Sequence, residues 1–217
     1  MIADDLLLLI TDDATGKARA EAGSIDYALA GAVLAELDLL RRIRLTTEAD
    51  VHHKKNRVVV TDGSSTGDPI LDHALAILAE KDLKPYNAIH RLQKGLRRTL
   101  YERLAAAGVL SEETGRVLGV FPSRRWPAAD PGPESSLRRT LDSVFLDGVT
   151  PTARTAALIA CLSVAGMAHK VVAQSHPAVD TRRVKREAKG YRERNWAAHA
   201  ARYAYEADAA ATAGGAA

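Results

Sequence analysis

Cysteine is nearly absent: Cys161 is the one thiol among 217 residues. That excludes an intrachain disulfide and a cysteine-ligated metal site, and it fits a reducing compartment. Within its apolar run Cys161 reads as a small buried hydrophobe. Aromatic residues make up only 5% of the chain while alanine is used heavily, which favours helices over sheet. No long hydrophobic run exists either. Leu6 to Ile10 follows Asp4-Asp5 with no basic leader, too short for a signal-peptide core or a bilayer span. Ala156 to Ala168 is longer but still too short, and it reads as a buried core helix. Any membrane contact is therefore expected to be peripheral.

Familiar catalytic signatures are also missing. The chain has no GxGxxG, no phosphate loop ending in Lys-Ser or Lys-Thr, no HExxH and no GxSxG. Gly63-Ser64-Ser65-Thr66-Gly67 lacks the phosphate-loop lysine and reads as a turn. His52-His53 point apart, with no third ligand at a telling distance. Asp4-Asp5 and Asp12-Asp13 flank turns, where solvation or capping suits them better than acid–base work. His169-Lys170 closes the apolar helix, where cations suit the negative end of the dipole. No enzymatic activity, metal or cofactor is expected.

What is present is a soluble globular balance, 47% hydrophobic and 26% charged, with room for a sizeable core. The net charge of +3 is mild, so the placement of the cations matters more than their sum. Asn87 to Leu110 is the most informative stretch. Ile89, Leu92, Leu96, Leu100 and Leu104 form an apolar stripe at helical spacing. Arg91, Lys94, Arg97, Arg98 and Tyr101 fall on the other side, with the four cations within an arc of roughly 120°. One continuous helix would thus face both a core and an anion. Arg103 falls inside the apolar arc and must snorkel or meet an acid.

Local signals place the other elements. Leu6 to Ile10 reads as a short strand or a first helical turn. Ser24 caps a helix to about Arg42, carrying Ile25, Leu29, Val33, Leu37 and Leu40 on one side. Ile43 to Thr46 and Arg57 to Thr61 read as strands. Asp68-Pro69 starts a helix to about Lys81, and Gly108 stops the basic helix. Val117 to Phe121 reads as a strand leading into an irregular tip, and Ser136 to Leu146 as a helix. A long apolar helix is expected from Thr150-Pro151 to about Ala173. Asp180 or Thr181 caps a last, basic surface helix, and the tail 208–217 reads as disordered.

In sequence order, IDYALAGAVLAELDLLRRIRL, TGDPILDHAL, LRRTLYERLAAAGVLSEE and RTAALIACLSVAG resemble the Golgi phosphoprotein 3 family from about Asp4 to Tyr203. The resemblance implies a mainly α, single globular domain over 1–207. A central helical bundle would be wrapped by amphipathic helices, with a few short strands. It further implies non-catalytic, peripheral binding to phosphatidylinositol 4-phosphate, on the cytoplasmic membrane face. Two family arginines of the headgroup site fall at Lys94 and Arg97, with Arg91 and Arg98 beside them. The family's tryptophan and early arginine fall at Glu21 and Ala30, neither of which offers a cation. Lys17 and Arg19 stand nearby as substitutes. The family's projecting hairpin maps to 117–131, with Arg124, Arg125 and Trp126 expected at a tip that contacts membrane or a second copy. The Ala- and Arg-rich composition suggests a bacterial source.

Two other readings use the same charges. A winged-helix module would put Arg91 to Arg103 in a nucleic-acid groove and Arg124-Arg125 in the wing, with Arg182 to Arg194 adding charge. The remaining blocks extend well beyond such a module. An adaptor would instead bind an acidic protein cargo.

Overall fold

The computed structural model describes residues 1–20, 22–117 and 121–214. Its element order is α1 (Ile2–Ile10), α2 (Ala22–Leu39), β1 (Ile43–Leu45), β2 (Val58–Val60), α3 (Pro69–Ala79), α4 (Pro85–Leu92) and α5 (Leu96–Ala106). It continues with β3 (Glu113–Val117), β4 (Phe121–Arg125), α6 (Gly132–Phe145), α7 (Ala153–Val164), α8 (Ala168–Ser175), α9 (Thr181–Arg194) and α10 (Trp196–Gly214). The fold is mainly α, as expected. Two antiparallel strand pairs, β1–β2 and β3–β4, are the described sheets.

Helices α1, α2 and α7 form the centre. Leu6 to Ile10 proves helical, and all five of its side chains are buried. The apolar residues of α7 from Ala157 to Leu162, Cys161 among them, are buried too. Helix α2 packs on α1, α7 and α10. A Cβ on Gly31 would lie 2.8 Å from that of Ala201, so only a very small residue lets α2 and α10 approach this closely. The predicted stripe Ile89, Leu92, Leu96, Leu100 and Leu104 is buried throughout.

Several boundaries shift. The basic segment is not one helix: Gly95 takes a left-handed φ of 72°, which ends α4 and starts α5 in a new direction. The long apolar helix likewise breaks at Gly166, where Met167 N–H donates to Leu162 O at 2.9 Å, and α8 leaves α7 at 104°. Among the described residues no single helix is long and apolar enough to cross a membrane. Helix α2 stops at Leu39, leaving Leu39 and Leu40 exposed. The start of the expected disordered tail is helical instead. Helix α10 runs on to Gly214, since alanine favours helix and Asp208 accepts a bond from the Tyr86 hydroxyl at 2.8 Å.

Asp68 and Asp180 cap as the sequence implies, but Ser24 does not, because α2 already starts at Ala22 and holds Ser24 inside its first turn. Asp68 accepts bonds from the amides of Ile70 and Leu71, and Asp180 from those of Arg182 and Arg183. Arg103 finds its acids. Its Nε donates to Asp4 Oδ1 at 3.1 Å and its Nη1 to Asp68 Oδ2 at 2.7 Å. One guanidinium thereby joins α5 to α1 and to the start of α3.

Candidate anion-binding site

The break at Gly95 divides the predicted cationic face. Arg91, on α4, turns toward α3 and pairs with Glu80. Lys94, exposed in the turn, lines a mostly apolar cleft of about 480 Å3 with Arg91, His73 and Val33. Arg97 and Arg98, on α5, face the other way. They line a separate cleft of about 500 Å3 with Lys17, Tyr101, Arg124 and Trp126. Lys94 and Arg97, expected to share one headgroup, therefore stand in different clefts.

The cleft around Arg97 is built on an aromatic floor. Trp126, expected at a membrane-seeking tip, is only 6% exposed and stacks on Tyr101, with centroids 5.2 Å apart and planes 4° from parallel. Tyr101, expected on the polar side of its helix, is buried for the same reason. Its hydroxyl reaches Thr11 Oγ1 at 2.9 Å, and burial pushes its pKa up. Gly16 locks the wall: its carbonyl accepts from Trp126 N–H at 3.0 Å. With φ at 61°, a Cβ there would sit 2.2 Å from Trp126 N, so the turn admits only glycine. That turn presents Lys17, whose side chain is exposed.

Arg124 and Arg125 lie at the base of the hairpin, opposite Thr114 and Glu113. Residues 118–120 fall outside the described residues, as does Glu21. Ala30 is fully buried, so the family's early arginine position faces the core here. Arg19 is occupied by Asp12, with Nη2 to Oδ2 at 2.9 Å.

Acids already attend most of these cations. Arg97 grips Asp26 on α2 with two bonds of 3.0 and 3.2 Å. Burial nonetheless raises the Asp26 pKa against the pull of Arg97. Its charged form is thus poorly solvated. Arg98 pairs with Glu102 at 2.7 Å. Arg124 reaches Glu102 at 3.5 Å and Glu112 at 3.4 Å. The ammonium of Lys17 makes no ion pair among the described residues. The pairs of Arg98 and Arg124 are largely exposed and worth about 0–1 kcal/mol each, whereas Arg97 and Asp26 are half-buried and hold each other more firmly. A phosphate with near two negative charges can displace them through stronger, charge-assisted bonds.

Sequence reasoning found Arg97, Arg98 and Arg124 and named Lys17 as a substitute. The acids that hold the arginines went unread: Asp26 lies 71 residues from Arg97, although Glu102 stands one helical turn from Arg98.

Comparison with protein-family models matches residues 2–207 to the family described as Golgi phosphoprotein 3 (GPP34). Vacuolar protein sorting-associated protein 74 of Eremothecium gossypii is 26% identical over 164 residues. The matched part covers 67% of this chain and 49% of that relative, so the chain spans about half the length of the curated relative it matches. With the family match running nearly end to end, the chain belongs to the Golgi phosphoprotein 3 family.

Proposed function

We propose that this protein docks peripherally on the cytoplasmic face of an anionic membrane and holds a phosphorylated lipid headgroup without catalysis. The observation that carries the reading is the convergence of Lys17, Arg97, Arg98 and Arg124 on one cleft between α5 and the base of the hairpin. Arg97 is the residue shared with the family's headgroup site. Lys17 and Arg124 supply the charge that Glu21 and Ala30 do not. Lys94 and Arg91, in the neighbouring cleft, add attraction to the bilayer surface, at about 1 kcal/mol per basic residue near an anionic leaflet. A phosphoinositide-like headgroup suits the arginine forks better than a lone carboxylate does.

Vesicle flotation tests this. Recovery is expected with vesicles containing anionic phospholipid, not with neutral phosphatidylcholine, and should fall as salt rises. Lys17→Gln with Arg97→Gln should lower recovery about tenfold. Equal recovery on neutral and anionic vesicles would remove the reading. Capture of duplex DNA in preference to vesicles, through the same two residues, would move it to nucleic acid.

The sorting role in the relative's name accords with an additional adaptor function toward acidic protein cargo. Pull-downs with and without vesicles address it. Self-association through 117–131 would appear as a concentration-dependent mass in sedimentation.

A further inference from the structure

Most arginines in this protein close on a carboxylate; Arg103, Arg138 and Arg154 are examples. On α9 several cations depart from that habit together. Residues 182, 185, 186, 189 and 192 keep helical spacing along one side of α9 and are all cationic. Arg182, Lys185, Arg186, Lys189 and Arg192 line a cleft of about 460 Å3, joined by Arg202 from α10. Its remaining wall is the α7–α8 corner, where Gly166, Ala168 and Ser163 leave space and His169 points in. No carboxylate lines it.

We propose that this cleft is a second anion site, taking a compact soluble ligand that carries two or more phosphate groups. Lys189 and Arg202 have acid partners one helical turn along, Glu193 at 3.5 Å and Glu206 at 2.6 Å. Asp180, at the start of α9, is committed to capping the helix. Arg182, Lys185, Arg186 and Arg192 have no ion pair among the described residues. Four cations without an ion-pair partner thus surround one concavity, with Glu193 and Glu206 acting on Arg192 only from a distance, and their charge is more than a single phosphate of about two negative charges would satisfy.

The neighbourhood feels that charge. The Arg192 guanidinium is held below its ordinary range by burial and then by Arg202. Burial, Lys185 and Lys170 together push the His169 imidazole down. Folding has gathered like charges around one concavity, with Arg192 half-buried and the rest of the α9 row exposed, and a polyanion relieves that repulsion.

Shape selects a soluble ligand over a bilayer. None of the exposed large hydrophobic side chains, such as Leu146, Val149 and Tyr203, lines this cleft. Nothing here would enter a lipid interface. The cleft also lies apart from the one at α5. Helix α9 packs on α7, α8 and α10, whereas α5 packs on α1 and α2.

Titration calorimetry with sodium tripolyphosphate at physiological salt tests the proposal. One-to-one binding is expected, at least tenfold tighter than orthophosphate. Lys185→Gln with Arg186→Gln, both exposed and so compatible with folding, should weaken it at least tenfold. Lys17→Gln with Arg97→Gln should leave it unchanged. Absence of binding, or equal affinity in the α9 variant, overturns the site. So does preference for duplex DNA at matched phosphate concentration, or capture of anionic vesicles through Lys185 and Arg186, since either makes the ligand a surface instead of a compact molecule. Arg192→Gln with Arg202→Gln, checked for an unchanged melting curve, should repeat the loss.

Discussion

At the scale of single residues, Glu134 is a carboxylic acid held far from its ordinary range. It is 5% exposed on α6. Burial, reinforced by a hydrogen bond with Asp13, pushes its pKa from 4.5 up to about 7, against the pull of Arg138 at 2.7 Å. A raised acid pKa means that the folded chain holds the proton more tightly than the unfolded one. The stability it brings is complete below about 4.5 and is lost as pH rises through about 7. Glu134→Gln fixes the uncharged form. Its urea midpoint should therefore gain on that of the wild type between pH 5 and pH 7.5. A difference between the two proteins that stays constant with pH would show that Glu134 does not titrate in this window. Nothing in the sequence around Glu134 forecasts this, because Asp13 is remote along the chain.

Among the elements, the joint that most clearly depends on one side chain is that of α1, α3 and α5 at Arg103. The sequence showed that Arg103 had to snorkel or meet an acid, since it interrupts an apolar stripe. Which acid it met was a matter of tertiary structure, and there are two. Asp4 and Arg103 are mostly buried, at 15% and 28% side-chain exposure, so the loss falls between that of a surface pair and that of a buried one. Arg103→Ala should cost about 2 kcal/mol in chemical denaturation, because it strands two carboxylates at once. Arg103→Lys, which reaches only one of them, should fall between. A loss no larger than about 0.5 kcal/mol for Arg103→Ala would mean that water replaces the guanidinium. The same contrast explains which element boundaries were legible. Asp68-Pro69, Asp180 and Gly108 act on neighbours within a few residues, and each does what its local chemistry dictates. The breaks at Gly95 and Gly166 were not legible. A glycine within an apolar periodicity is compatible with a continuing helix, and only the packing of the next helix, α5 or α8, selects the bend.

Across the whole molecule, the burial pattern could be read in advance but the charge pattern could not. Apolar stripes have one destination, a common core, so periodicity alone placed Ile89 to Leu104. Cations have many destinations. Arg91, Lys94, Arg97 and Arg98 looked like one surface and became two, while Trp126 left the expected tip for the stack on Tyr101. Conversely, the cationic row on α9 becomes meaningful only when the α7–α8 corner and Arg202 close around it. The two basic clefts share no lining side chain. Sites that share no residues generally act additively. Protein already bound to anionic vesicles should thus take up tripolyphosphate with an affinity within about twofold of the free protein's. The vesicle-deficient variant should keep its tripolyphosphate affinity, and the α9 variant its flotation. If tripolyphosphate strips the protein from vesicles at concentrations that just fill the α9 cleft, the two surfaces compete for one ligand class at one place, and their independence fails.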